Sequence, residues 1–209
     1  MSFELSTKAD QKMRWGGLLE HPYISKVQRN CLDGFKVTGL KRIIGNLDYH
    51  SILDVGCGLG EYSRVAKQSN LYVGLDNSLP RVAFANQKYR FPFLQADANV
   101  LPFKDNAFDA MLFANIAHHL TDEELTRALT EMIRVSNKYI IIDDCVSSHN
   151  QFFLSKFFYS LDRGTRFRSI EQFEELFAAI PNIHLILKDT HRTFPGLYLH
   201  AVFVLEVQQ

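Results

Sequence analysis

Short runs of Ile, Leu, Val and Phe recur along the chain, separated by stretches whose apolar residues return every three or four positions. The first kind of run reads as strand and the second as helix, because side chains repeat every two residues in a strand and every 3.6 in a helix. The pattern predicts strands over 51–55, 71–75, 92–96, 108–114, 138–143, 183–189 and 198–206, and helices over 60–68, 79–89, 122–135 and 169–179. Asp122 stands in front of EELTRALTEMIRV and is the expected N-cap of the third helix. Several strands are apolar throughout, as expected where helices cover both faces of a parallel sheet. Strands alternating with helices point to the α/β class. The last two strands are joined by THRTFPGL. That linker is too short for a crossover helix, so they should pair antiparallel, as a hairpin at the sheet edge.

Composition narrows the class without identifying it. At 209 residues, 46% hydrophobic and 22% charged, the chain is expected to fold as one domain, without disulfide or metal staples. Residues 1–48 read as an N-terminal helical cap, and 151–168 as an insertion after the fifth strand. Twenty-three basic residues balance 23 acidic ones, so no net field draws the molecule to nucleic acid or an anionic membrane. No apolar run reaches the roughly 18 residues of a membrane-spanning helix. Three well-separated cysteines, Cys31, Cys57 and Cys145, exclude a CxxC site and suit a reducing, cytoplasmic setting. No feature specifies an oligomeric state.

The chemistry concentrates where the first strand turns into a helix. ILDVGCGLG, residues 52–60, ends a strand on Asp54 and turns through Gly56, Gly58 and Gly60. Glycines belong where a turn needs unusual dihedrals or where a ligand approaches the backbone closely. Asp76 closes the second strand twenty residues after Gly56, where nucleoside-binding folds place an acid on the ribose hydroxyls, and Asp97 follows the third. Each acid alone could be a turn-forming residue. The glycine spacing is G-x-G-x-G with an acid two residues ahead, which suits a ribose and an amino-acid end better than the pyrophosphate served by G-x-G-x-x-G.

These segments, followed by GLDNS, QADANVLPFKDNAFDAMLFANIAHHLTDEEL and EMIRV leading to KYIIIDD, resemble the class I S-adenosylmethionine-dependent methyltransferases over about residues 50–144, in the subgroup with LPF and HHL elements. The resemblance implies a Rossmann-like, doubly wound sheet of seven strands, mostly parallel with the last antiparallel. It implies S-adenosylmethionine as cofactor. Asp54, Gly56, Gly58 and Gly60, with Cys57 among them, would border the methionine moiety. Asp76, with Asn77 beside it, would hold the ribose diol, the pair Asp97 and Ala98 would meet the adenine, and Asn115 would lie along the methionyl part. RVSNKYI lacks the glycine-containing turn of many relatives before the fifth strand, so that turn is expected to be built differently.

The resemblance names a cofactor and no acceptor. Methyl transfer from a sulfonium requires alignment, and a base only if the nucleophile must lose a proton. His118 and His119, after the fourth strand, are the candidate bases, one of which could instead cap or pack against the next helix, and His149, after Asp143 and Asp144, is a second candidate. Asp143 and Asp144 lack a third oxygen ligand nearby in sequence, so no metal site is expected. The insertion carries Arg163, Arg166 and Arg168 beside a Phe stripe. Arg163 and Arg166 are the candidate acceptor contacts if it is a lid, and a solvated turn if it is not. The expected activity is methylation of an oxygen or carbon on a small or lipid-like acceptor, with nucleic acid disfavoured by the charge balance. The alternatives are a tRNA wobble-uridine methyltransferase and a catalytically silent cofactor-binding scaffold.

Overall fold

The structure, a computed structural model, describes residues 38–64, 71–147, 166–192 and 199–208. Within them lie seven strands: β1 (Ser51–Val55), β2 (Leu71–Asp76), β3 (Phe93–Gln95), β4 (Phe108–Ala114), β5 (Ser136–Cys145), β6 (Ile183–Arg192) and β7 (Leu199–Val207). Four helices accompany them: α1 (Thr38–Asn46), α2 (Leu79–Lys88), α3 (Asp122–Val135) and α4 (Ile170–Ala178). The predicted bounds of β1, β4 and α3 are reproduced. β5 and β6 run on past their predicted ends because their extra polar residues find partners on β7, which pairs with β5 through Cys145 and with β6 through Arg192.

The sheet order is β3-β2-β1-β4-β5-β7-β6. β1 to β5 pair parallel, whereas β7 is antiparallel to both of its neighbours. The hairpin is therefore present, with β7 inserted between β5 and an outer β6. Strand order reverses between β1 and β4, and an open α/β sheet builds its ligand crevice at the carboxyl ends of the strands around such a reversal.

Each face of the sheet carries its own core. α3 and α4 bury Leu125, Leu129, Met132, Phe173 and Phe177 against Leu53, Met111, Ile140, Ile142 and Phe203. α1 and α2 bury Leu40, Ile44, Val82 and Ala85 against Ile52, Leu112, Ile141 and Val204. Neighbouring residues of β5 thus serve opposite cores, as the two-residue strand period dictates. The consequence at its end is that Asp143 and Cys145 belong to one face and Asp144 to the other.

Two local expectations are corrected, and the junction before β5 is, as expected, built differently. The N-cap of α3 is Thr121 and not Asp122: the Thr121 hydroxyl accepts from the Glu124 N–H while the Glu124 carboxylate accepts from the Thr121 N–H, a capping box that leaves Asp122 in the first turn. Where 60–68 was expected to be helical, the described part is a 3-10 turn, Glu61–Arg64. Between α3 and β5 there is no loop at all, since Ser136 is both the helix C-cap and the first residue of the strand. The register between β4 and β5 shifts near Phe108, which accommodates that abrupt junction. Residues 1–37 of the expected cap, His149, and residues 151–165 of the insertion, with Arg163, lie outside the described residues.

Candidate functional site

The glycine turn adopts the conformation its composition demands: φ is +74° at Gly56, +55° at Gly58 and +77° at Gly60. The space beside two of these glycines is filled by the protein itself. A Cβ on Gly56 would stand 1.8 Å from Ile116 Cδ1, and one on Gly60 would stand 2.7 Å from the Phe93 ring. At these positions, protein packing and backbone conformation account for glycine without invoking a ligand. The turn is fastened to β2 by the N–H groups of Gly56 and Cys57, which both donate to the Leu75 carbonyl. The Cys57 side chain is buried.

Asp76 closes the bracket. Its Oδ2 accepts from the Gly58 N–H at 2.9 Å and its Oδ1 from the Ser78 N–H at 2.9 Å, in a residue only 4% exposed. A carboxylate offers about four lone-pair directions, so after these two bonds it retains acceptor capacity for a pair of hydroxyls. The Arg81 guanidinium approaches no nearer than 3.9 Å. A buried acid with spare acceptors at a glycine turn fits the ribose of a nucleoside cofactor and repels a pyrophosphate. Asn77, next along, is exposed.

The remaining candidates are dispersed around this bracket. Asp54 is buried and accepts from the Tyr72 hydroxyl, and burial together with that carboxylate pushes the Tyr72 pKa well above its usual value. Asp97 is exposed and folds back on Asn99, its Oδ1 accepting from both the Asn99 N–H and its side-chain amide at 2.8 Å, the turn-forming alternative read from the sequence. Ala98 is half-buried beside it. Asn115 has φ +59°, donates its N–H to the Asp143 carbonyl, and donates its side-chain amide to the Tyr62 hydroxyl at 2.6 Å. Asparagine tolerates this left-handed conformation better than most residues, which explains its place at the exit of β4.

After β4 the chain is held by Asp144. Oδ2 accepts from the Ile116 and His118 N–H groups, while Oδ1 accepts from the Cys145 N–H and lies 2.5 Å from His118 Nδ1. Burial pushes the Asp144 carboxyl up, but His118 and the surrounding donors more than offset this and hold it below the usual carboxylate range. His118 is itself buried and stacks on Phe167, with ring centroids 5.5 Å apart. His119 is exposed. Arg166 is exposed and donates its N–H to the His118 carbonyl. Arg168, one of the expected lid arginines, is instead buried: its guanidinium donates to the Ala117 and Leu120 carbonyls and to Asp122. It is a strut between the segment after β4 and the start of α3, and is unavailable to an acceptor.

Sequence reasoning missed the residues on the other face of the same strand end. His200 Nδ1 lies 3.1 Å from Asp143 Oδ1 and its Nε2 lies 3.1 Å from Cys145 Sγ, with all three residues buried. Burial disfavours the imidazolium, yet Cys145 and Asp143 raise the His200 pKa well above the usual value. Burial pushes His191, on β6, down. The available signal was a histidine on each side of the predicted hairpin turn, in THRTFPGLYLH.

Residues 52–138 match the model of a methyltransferase domain. The chain is 38% identical over 115 residues to "Probable tRNA methyltransferase 9B" of Homo sapiens, covering 54% of this chain and 24% of that protein. It is 32% identical over 128 residues to the tRNA (carboxymethyluridine(34)-5-O)-methyltransferase alkbh8 of Xenopus tropicalis, covering 57% and 20%. It is 32% identical over 114 residues to the malonyl-[acyl-carrier protein] O-methyltransferase of Pectobacterium atrosepticum, covering 51% and 44%. The chain thus spans less than half the length of these relatives. Among solved structures, magnesium protoporphyrin IX methyltransferase from Synechocystis, with bound SAH, superposes with a TM-score of 0.64 at 17% identity, covering 99% of this chain and 90% of that one. Residues 52–138 thus carry the sequence pattern of a methyltransferase domain, on a sheet that shares its fold with a methyltransferase of solved structure.

Proposed function

We propose that the chain transfers a methyl group from S-adenosylmethionine to an oxygen of a small or lipid-like acceptor that bears a carboxylate. The observation that carries the reading is the bond from the Gly58 N–H to Asp76, which joins the glycine turn to the strand-end acid beside the reversal of strand order. In this reading Asp76 takes the ribose hydroxyls, the backbone of residues 56–60 faces the methionyl end with Asp54 and Cys57 supporting it from below, and Asn115 lines the path to the acceptor. Asn77, Asp97 and Ala98 border the adenine. When bound, the cofactor supplies an electrophilic methyl on a sulfonium.

Two of the relatives are named for O-methylation on carboxyl-bearing groups, a malonyl and a carboxymethyl group, which supports a carboxylate as nucleophile. Such a group has already lost its proton at neutral pH, so no base is required and the chain's task is to align it. His118, buried and held by Asp144, suits positioning the wall of the acceptor site better than proton removal. Exposed Arg166, tied through its backbone to His118, is the group we assign to the acceptor carboxylate.

The tRNA reading is kept because two of the relatives above are named for tRNA. Transfer of labelled methyl from S-adenosylmethionine to short dicarboxylic half-esters and acyl thioesters, run beside total tRNA, separates the readings. A base-labile methyl ester on the small acids is the expected product. Label appearing only in tRNA nucleosides establishes the alternative, and no binding of S-adenosylmethionine by calorimetry overturns both.

A further inference from the structure

The end of β5 places unlike chemistry on the two faces of one sheet. On the α3 side, the oxygens of Asp144 are occupied by three backbone N–H groups and His118, so that carboxylate is an anchor. On the opposite side, strand register sets Cys145 across from His200, and His200 across from His191. Residues directly opposite in antiparallel pairs share a face, so the three side chains form one row across β5, β7 and β6. Asp143 lies two residues before Cys145 and so joins the same face.

Ligand atoms of Asp143, His191 and His200 lie within 4.8 Å of one another. A thiol-imidazole-carboxylate relay would need only Cys145, His200 and Asp143; it leaves the convergence of His191 on the same carboxylate without a role. A buried carboxylate is held by hydrogen-bond donors or by a cation, and the ion pair of Asp143 among the described residues is with His200.

We propose that Asp143, His191 and His200 form a binding site for one divalent transition-metal ion of the zinc class. Two imidazoles and one carboxylate are a borderline donor set that suits zinc, cobalt or nickel, whereas magnesium and calcium take six or more oxygens. The spacing agrees. An ion about 2.0–2.1 Å from both Asp143 Oδ1 and His200 Nδ1 would see those atoms, 3.1 Å apart, at about 100°, close to a tetrahedral angle. With Nδ1 on the ion, His200 keeps its proton on Nε2 and donates it to Cys145 Sγ, the outer hydrogen bond that metal-bound histidines generally make. Three protein ligands leave one position open, as in catalytic rather than structural zinc sites. The Asp143 carbonyl accepts from the Asn115 N–H, so the site adjoins the exit of β4, where acceptor chemistry is expected.

The test uses the full chain, stripped with a chelator and dialysed, then titrated with Zn²⁺ by calorimetry and with Co²⁺ by visible absorption. One ion per chain is expected, with the intense visible bands of four-coordinate cobalt and without a thiolate charge-transfer band. His191→Ala, at a half-buried position, and the isosteric Asp143→Asn should each weaken binding tenfold or more. Both should bind S-adenosylmethionine like the wild type, which separates failure of this site from failure of the methyltransferase reading. Absence of saturable one-to-one binding, or unchanged affinity in His191→Ala, overturns the proposal and leaves the row as a proton relay. A thiolate band overturns the ligand set.

Discussion

Single carboxylates organise both ends of the crevice, and their neighbours decide what each can do. Asp76 makes two backbone hydrogen bonds and keeps acceptors in reserve, whereas Asp144 is occupied by the chain it holds. Replacing Asp76 by alanine should weaken S-adenosylmethionine binding by about 1.5–3 kcal/mol, the scale of charge-assisted bonds to two hydroxyls. Calorimetry on a variant shown by circular dichroism to be folded reads this directly, and unaltered affinity would assign the ribose to another group. Asp144→Ala should act on stability instead. It strands three backbone N–H groups and His118 in a buried setting, and breaking a buried pair from one side costs about 3–5 kcal/mol. Urea unfolding of the variant checks this; a loss under 1 kcal/mol would mean that water replaces the carboxylate.

Two glycines show how elements rather than residues set tolerance. At Gly56 the Cβ of alanine would meet the terminal methyl of Ile116, which can rotate away, so the dominant cost is the left-handed backbone, about 1–2 kcal/mol. Gly74, inside β2, has ordinary strand dihedrals, but a Cβ there would lie 2.3 Å from the Phe93 ring, which is buried and cannot retreat. Overpacking of this kind costs about 1–3 kcal/mol. Gly74→Ala should therefore be largely rescued by Phe93→Leu, while Gly56→Ala should gain little from Ile116→Ala; the two double-mutant cycles measure the difference. α3 is tied to the segment leading into β4 in another way. Both oxygens of Glu131 pair with Arg134, and one also accepts from the Leu101 N–H. Its bond with Arg134 holds Glu131 below the usual glutamate value of 4.5. A carboxyl with a lowered pKa stabilises the fold above the unfolded value and loses that contribution as pH falls through the folded one. The stability difference between wild type and Glu131→Gln should accordingly be constant from pH 7 to about 5 and shrink below that, as followed by urea midpoints.

At the scale of the whole molecule, balanced charge separates the acceptor readings. A protein that grips tRNA by neutralising several phosphates loses affinity steeply with salt, about 10³–10⁵-fold between 50 and 200 mM for six to ten contacts. With 23 basic and 23 acidic residues, we expect kcat/KM on a small carboxylate acceptor to change less than about tenfold over that range. A steep decline on tRNA, with no activity on small acids, would favour the nucleic-acid reading.

The sequence by itself determined the succession of elements, because strand and helix periods are local properties of neighbouring residues. It also exposed the glycine turn and Asp76, since conformational demands at Gly56, Gly58 and Gly60 and an acid at a strand end are legible without knowing their partners. The N-cap at Thr121 was missed although its capping box is local: Thr121 and Asp122 are both good caps, and only the bond geometry chooses between them. Tertiary structure alone decided that β7 enters between β5 and β6, that Arg168 is a strut, that Asp144 and Asp143 serve opposite faces, and that Cys145, His200 and His191 share a row. Those partners stand far apart in the chain, 26 positions for His118 and Asp144 and 57 for Asp143 and His200. Strand register brings them together, and it is set by burial of whole faces of the sheet rather than by anything near those residues in sequence.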